Sequence, residues 1–315
     1  MFATRAIAVS ISVFVVVYCA MSLVVCLGWR QALRRKGRRP EADADLLFVV
    51  RMAPVFTALV ITAAFAMPSF LLLEPREIDE PLGGVPLLLS VAGIGLAAAG
   101  VAKGALALFR TCRAVSAWKN GALPVKTLAA VPVLQVTTAA PAMTAAGIVH
   151  PTILVSAAAQ ELLSQEELRS ALQHELVHLR RRDNLRKLLL RCVAFPGMSK
   201  LEARWTEATE MAADEAAVSS SREALDLAGA LIKLSRVRTE CASAELTAAL
   251  VQSPASMMNA RVERLLAWTK PDEIVAQKRS RWYGYGAALA ALSLMALSYP
   301  QVLIEIHTAT EWLMR

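Results

Sequence analysis

Two histidines stand four residues apart in the segment Gln173-His174-Glu175-Leu176-Val177-His178. Because residues at this spacing share one face of a helix, both imidazoles point the same way and can bind one metal ion. Glu175 would lie beside that ion, where its carboxylate can take a proton from a bound water molecule. The alternative is a solvated Glu/His pair on a polar helix face, and the flanking residues favour the metal site.

The surrounding residues predict one long helix. Ser164-Gln165-Glu166-Glu167 has the form of a capping box that starts it, and Pro196-Gly197 ends it. The second half carries a basic face, which can rest on anionic lipid headgroups or in solvent over the domain core. That face comprises Arg180, Arg181, Arg182, Arg186, Lys187 and Arg191.

A third metal ligand is expected from a second helix, because a catalytic zinc ion needs three protein ligands and one open position. The predicted helix 205–217 places Glu210 and Asp214 four residues apart on one face. Glu210 would bind the metal, and Asp214 would accept a hydrogen bond from the far ring nitrogen of a ligand histidine. Spacing alone does not separate Glu210 from its acidic neighbours Glu202, Glu207 and Glu215.

Composition indicates a membrane protein. Of the 315 residues, 56% are hydrophobic, which is more than in ordinary soluble domains. Several segments are long and apolar enough to cross about 30 Å of hydrocarbon. They lie at about 6–29, 47–73, 85–109 and 282–305. The glycines of the third segment, Gly93, Gly95 and Gly100, suit close helix packing.

Charge predicts the orientation of these spans. The loop after the first span holds six basic residues, whereas the loop after the second is mostly acidic. Basic residues also flank the region between the third and fourth spans. The positive-inside rule therefore puts both termini outside and residues 114–281 in the cytoplasm. The net charge of +8 reflects this excess of basic residues on the predicted cytoplasmic side, and no direct contact with nucleic acid is expected.

Residues 127–149 are uncharged over a length that resembles a further span. Their prolines and threonines are typical of strands and turns, and strands are predicted at 131–136 and 152–156. The N-terminal apolar segment is interpreted as a membrane helix rather than a cleaved signal. The five scattered cysteines predict neither disulfides nor a thiolate zinc site.

Several motifs together resemble the BlaR/MecR-type membrane metallopeptidases. The run 173–185 is similar to that family's metal-helix signature, and the run 146–155 is similar to the strand before it. Glu210-Met211-Ala212-Ala213-Asp214 matches the family's E-x-x-x-D element, although Ala213 stands where cysteine is common, and the run 261–266 resembles its closing helix. The order of three spans, an internal protease domain and one further span also matches.

The resemblance implies a gluzincin with one Zn²⁺ per chain, bound by His174, His178 and Glu210, with Glu175 as general base and Asp214 behind the ligands. The expected fold is mainly α: a membrane-embedded helical bundle (three spans plus one) with a cytoplasmic α+β zinc metallopeptidase domain at 114–281. Residues 1–113 would hold the first three spans, 282–305 the fourth span and 306–315 a short external tail. The expected location is the cytoplasmic (inner) membrane of a bacterium.

The resemblance also implies the class of substrate: a cytosolic transcriptional repressor, a membrane-associated protein or the enzyme's own cytoplasmic domain, cleaved in signal-dependent derepression. Because ten residues follow the last predicted span, the family's C-terminal penicillin-binding sensor domain is not expected, and β-lactam sensing is not carried over. One alternative is an HtpX-like quality-control protease, which places two spans before the motif and two after it. Another is a non-catalytic signalling scaffold with a structural zinc ion, which would need a fourth protein ligand.

Overall fold

A computed structural model of the chain describes residues 2–32, 39–75, 83–125, 131–136, 140–193, 195–236, 246–249, 255–269 and 299–310. The chain divides into two compact units. Unit 1 comprises Met1–Gly28, Met52–Ala98 and Pro271–Arg315, and unit 2 comprises Trp29–Arg51 and Ala99–Lys270.

Among the described residues, three helical segments are long and apolar enough to cross a membrane. They are α1 (Phe2–Ala32), the continuous run of α2 (Pro40–Ile61), a π-helical turn (Thr62–Ala66) and α3 (Met67–Leu73), and α4 (Gly84–Lys119). All three extend beyond the predicted spans, because the helices continue into their polar flanks. Of the predicted fourth span, only 299–305 is described, as part of a helix at 299–310, and the remainder lies outside the described residues.

In unit 1, α1 and α4 approach closely through small residues. The Ser90 hydroxyl of α4 donates to the Ala8 carbonyl of α1 at 3.0 Å, and it lies 3.4 Å from the Ser12 hydroxyl. A Cβ atom on Gly93 would overlap side chains of α1, whereas a Cβ atom on Gly95 would meet none of the described residues within 4 Å. The predicted role of glycine in close packing is therefore confirmed for Gly93.

A proline interrupts the second membrane segment of unit 1. Pro68 has no N–H, so the Ala64 carbonyl lacks the hydrogen bond that a regular α-helix would give it. The backbone widens there into the π-helical turn Thr62–Ala66. Tyr299, in the last helix, donates its hydroxyl to the Ala64 carbonyl at 2.6 Å. The carbonyl that proline leaves free thus has a side-chain partner.

Within the described residues, unit 2 contains a five-stranded sheet in the order β1-β2-β4-β3-β5. The strands are β1 (Leu123–Pro124), β2 (Val133–Val136), β3 (Met143–Ala146), β4 (Thr152–Ser156) and β5 (Ala248–Ala249). β2 and β4 run parallel, and the other neighbours run antiparallel. β2 and β4 confirm the predicted strands, and β2 and β3 show that the described parts of 127–149 are not a membrane helix. β3 was missed because all four of its residues are buried and no alternation marks it.

The helices of unit 2 pack around α6. They are α5 (Ala157–Leu162), α6 (Gln165–Arg180), α7 (Asp183–Cys192), α8 (Ser199–Ala217), α9 (Ser221–Ser235) and α10 (Ala255–Leu266). Their core contains Ile153 and Val155 of β4, Leu176 of α6, and Leu227 and Leu231 of α9. The predicted capping box is confirmed, since the Glu167 N–H and carboxylate both bond to the residue that precedes α6.

The prediction of one long helix through the histidine motif is wrong. α6 ends at Arg180, and α7 begins at Asp183 after a turn in which Arg182 has a φ of 55°. This left-handed conformation is unusual for a residue with a side chain, and it redirects the chain. The redirection brings the first residue of α7 back beside the end of α6.

The basic face beyond the motif contacts other parts of unit 2. Arg181 lies 3.0 Å from Glu41 and 3.1 Å from Asp45, both in the first turns of α2. Arg186 lies 2.7 Å from the same Asp45 carboxylate, and its guanidinium lies over the Phe48 ring. Neither predicted environment, lipid headgroup or solvent, therefore describes these two arginines. They hold α7 against an acidic helix end.

Candidate metal centre

α6 and α8 bring three predicted side chains to one point. The Nε2 atoms of His174 and His178 lie 3.0 Å apart. Glu210 Oε2 lies 3.6 Å from the first of these nitrogens, and Glu210 Oε1 lies 3.7 Å from the second. All three residues are buried, and together they form a group that could hold a metal ion.

The spacing of these atoms fits a zinc-sized cation. Ligands that surround zinc tetrahedrally at about 2.0–2.1 Å lie about 3.3 Å from one another, and the observed separations of 3.0 to 3.7 Å bracket that value. The far nitrogens face carboxylates: His174 Nδ1 lies 2.9 Å from Asp214, and His178 Nδ1 lies 2.8 Å from Asp183. A proton on each Nδ1 leaves two bare Nε2 lone pairs facing each other, an arrangement that a cation between them stabilises.

Asp214 stands where the sequence predicted it, whereas Asp183 was missed. A residue five positions after His178 would lie about 140° around a continuous helix and could not reach its imidazole. The turn at Arg182 makes the contact possible, and Asp183 is completely buried there. The available signal was the preference for acidic residues in the first turn of a helix, which hints at a new helix start.

A buried arginine on α10, also missed, holds both acidic residues of α8. Arg261 donates to Asp214 from Nε and Nη2 at 2.7 Å each, and its Nη1 lies 3.1 Å from Glu210 Oε2. Arg261 is 0% exposed. The sequence did offer one signal for a buried arginine: Arg261 lies at helical spacing within the apolar stripe that contains Met258 and Leu265.

Charge keeps the acidic groups of the centre ionised. Burial lowers the pKa of His174, but hydrogen bonding to Asp214 and Glu210 outweighs it and raises that pKa to about 9, so a metal ion that binds here displaces a proton from the imidazole. Burial raises the pKa of Glu210, but Arg261 and the two histidines bring it down to about 2. Arg261 likewise holds the pKa of Asp214 well below its usual range in spite of burial. Both carboxylates are therefore ionised at neutral pH, as metal binding requires.

Glu175 lies beside this group with one oxygen free. Its Oε2 atom accepts a hydrogen bond from the Ala145 N–H of β3 at 2.7 Å. Its Oε1 atom has no hydrogen-bond partner in the part of the chain that the structure describes. Burial raises the pKa of Glu175, against the opposing charges of His178 and His174. A raised pKa suits a group that accepts and returns a proton near neutral pH.

A cavity of about 350 Å³ opens beside His178. Its lining is partly apolar, with Ile148, Leu179 and Leu185, and Asn184 adds an amide to the wall. The Asn184 amide donates to the carbonyls of residues 145 and 147 at 3.1 Å each, so it ties α7 to the end of β3. The volume is at the lower end of the range for ligand pockets, about 300–1,000 Å³.

Residues 124–265 match the protein family described as BlaR1 peptidase M56. The matched range begins in β1 and ends within α10, and it contains every residue of the centre described above. No curated protein matches the chain.

Proposed function

Because this chain carries an M56 peptidase domain of the BlaR1 type together with helices apolar enough to span a membrane, we propose that it is an integral membrane zinc metalloendopeptidase. The observation that carries the proposal is the convergence of His174, His178 and Glu210 beside the free oxygen of Glu175. Within the described residues, no fourth histidine, cysteine or carboxylate belongs to that group. The open position supports a catalytic site over a structural one.

The residues of the centre have separate roles in peptide hydrolysis. When bound, zinc would lower the pKa of a water molecule to about 7 and polarise the substrate carbonyl. Glu175 takes a proton from a water molecule as the water oxygen adds to the substrate carbonyl carbon, and it returns the proton to the leaving nitrogen. Asp214 and Asp183 fix the tautomers of the two imidazoles, while Arg261 keeps Glu210 ionised and in place.

Metal analysis of purified protein tests the ligand set. We expect one zinc ion per wild-type chain, loss of zinc in Glu210→Ala and retention in Glu207→Ala. Glu207 is the matched control, because it lies on the same helix but pairs with Arg204 near the surface. Zinc loss in the Glu207 variant alone would overturn the assignment.

Replacement of the general base tests the reaction. Glu175→Gln should keep zinc and the fold but lose peptidase activity by about a hundred- to ten-thousand-fold, because an amide accepts no proton from water. Near-full activity in this variant would contradict the mechanism.

We further propose that the peptidase domain is cytoplasmic and that both termini lie outside. Support comes from the basic first loop and from unit 1, where Glu74 lies 2.9 Å from Arg5 and 3.8 Å from His307. Arg5 near the start of α1 and His307 in the helix at 299–310 therefore both lie close to Glu74, at the end of the second membrane segment. Reporter fusions after Lys126 and Ser156 should give a cytoplasmic signal, and a C-terminal fusion an external one. An external signal after Ser156 would overturn this topology.

We propose that the substrates are cytosolic or membrane-associated proteins, with a transcriptional repressor or the enzyme's own cytoplasmic domain cleaved during signal-dependent derepression in a bacterial inner membrane. The β3 edge supports a protein substrate, because it already pairs with an extended segment, β5. Comparison of the proteomes of wild-type and Glu175→Gln cells tests this. Accumulation of a single regulator supports derepression, whereas accumulation of many membrane proteins would indicate quality control instead.

A further inference from the structure

An extended segment of the chain lies along β3 beside Glu175. β5 pairs antiparallel with β3, with Ala248 opposite Ala145, the residue whose N–H binds the Glu175 carboxylate. The preceding residues, Leu246 and Thr247, are 1% and 3% exposed. Addition of a strand to a sheet edge is a common way for proteins to hold an extended peptide. Residues 246–249 therefore lie as an extended peptide along the strand whose Ala145 N–H binds Glu175.

Lys187 of α7 binds the backbone of that segment. Its Nζ atom donates to the Thr247 carbonyl at 2.8 Å. This carbonyl belongs to the peptide bond that joins Thr247 to Ala248. The lysine side chain is half-buried, and the carbonyl that it binds directly precedes Ala248, the residue that lies opposite Ala145.

The surroundings of Lys187 are those of the metal centre. Burial lowers the pKa of Lys187, and the charges of Glu210, Asp183 and Glu175 oppose that effect. These carboxylates are the third member of the metal group, the partner of His178 and the general base. Lys187 also lies four residues after Asp183 on α7, so the two side chains share one face of that helix.

We propose that Lys187 is a catalytic residue that binds the carbonyl oxygen of the scissile peptide bond and stabilises the negative charge that develops there. This inference rests on the proposed peptidase function. As the water oxygen bonds to the carbonyl carbon, the π electron pair moves to the carbonyl oxygen, and Glu175 receives the water proton. Lys187 keeps its own proton and donates a hydrogen bond that strengthens as the oxygen becomes negative. The C–N bond then breaks, the carbonyl re-forms, and Glu175 passes its proton to the nitrogen.

A lysine that only anchors residues 246–249 would make the same contact, so the test must separate ground-state from transition-state binding. The full chain, zinc-loaded in lipid nanodiscs, is given an internally quenched peptide with the sequence of residues 243–252. A phosphonamidate version of that peptide carries a tetrahedral anionic group and measures transition-state affinity. The variants are Lys187→Met, Lys187→Gln and Lys187→Arg, with Lys200→Met, an exposed lysine on α8, as the matched control.

We expect Lys187→Met to lower kcat by about a hundred- to a thousand-fold, as removal of one oxyanion donor does in other hydrolases. KM should change by less than about threefold, since the interaction acts in the transition state. Affinity for the phosphonamidate should fall in step with kcat. Lys187→Arg should recover part of both quantities, and Lys200→Met should match wild type.

Several results would overturn the assignment. The assignment is wrong if folded, zinc-bound Lys187→Met protein keeps the wild-type kcat. It is also wrong if only KM changes, or if kcat falls while the affinity for the phosphonamidate stays unchanged. If the methionine variant fails to fold, Lys187→Gln decides by the same criteria. Hydrolysis that is absent from wild type, or that survives Glu175→Gln, would refute the peptidase function and the role of Lys187 with it. Hydrolysis that needs Glu175 but not Lys187 would refute only the latter.

Discussion

Replacing Arg261 with methionine should strongly destabilise the peptidase domain. The guanidinium is 0% exposed, with two hydrogen bonds of 2.7 Å to Asp214 and a 3.1 Å contact to Glu210. Methionine removes the positive charge and leaves two buried carboxylates without it. Loss of one partner of a buried ion pair costs about 3–5 kcal/mol. At about 2–4 °C per kcal/mol, the unfolding temperature should fall by roughly 6–20 °C.

Arg264→Met is the matched control for this prediction. Arg264 lies one turn further along α10 and pairs with Glu215 at 3.0 Å, but the two side chains are 47% and 28% exposed. Such a pair contributes about 0–1 kcal/mol, so the unfolding temperature should change by less than about 4 °C. Scanning fluorimetry of full-length protein, with chelator and then with zinc, gives both values. Zinc should restore part of the loss in Arg261→Met, because it supplies positive charge beside Glu210. Equal shifts in the two variants would refute the reasoning.

Three further changes test other parts of unit 2 and of α4. Burial raises the pKa of Glu167, but its bonds to Lys233 and to the capping residue lower it below 4.5 overall. The stabilisation by ionised Glu167 is therefore present above pH 4.5 and lost as the pH falls through the folded-state pKa. The unfolding temperatures of Glu167→Gln and wild type should differ at neutral pH and become equal in acid. Asp183→Ala should weaken zinc binding about ten- to a hundred-fold in chelator competition, and unchanged affinity would contradict its role behind the ligand. Gly100→Ala should lower the unfolding temperature, because its Cβ would overlap the backbone of α7, whereas Gly95→Ala should not; equal effects would argue against that packing.

Helical periodicity accounts for what the sequence predicted of the centre. The spacing of His174 and His178, and that of Glu210 and Asp214, are local relations that any regular helix imposes. The structure brings three of these side chains into one group that could hold a metal ion and places the fourth behind it. Choosing Glu210 over its acidic neighbours needed the packing of α8 on α6, which spacing alone does not contain.

The parts of the site that the sequence did not predict depend on a backbone reversal and on segments that are distant in the sequence. Asp183 reaches His178 only because Arg182 takes a left-handed conformation, which is rare for arginine. Arg261 and the strand β5 come from beyond α9, so no local pattern connects them with the histidines. The membrane segments were easier, because an apolar length is a local property. The predicted bounds were too short because hydropathy does not register ion pairs, and Asp45 in the polar first turns of α2 forms two of them in unit 2.

The hydrogen bond between Tyr299 and Ala64 can form only late in the biosynthesis of the chain. Its two residues are 235 positions apart. A ribosome that adds about 5–20 residues per second makes the tyrosine about 12 to 47 seconds after the carbonyl that Pro68 leaves free. The whole family-matched range, residues 124–265, is translated within that interval, so it can fold before Tyr299 is made. The Ala64 carbonyl gains its side-chain partner only after Tyr299 is made, and a chain that stalls before Tyr299 would leave that carbonyl without this partner.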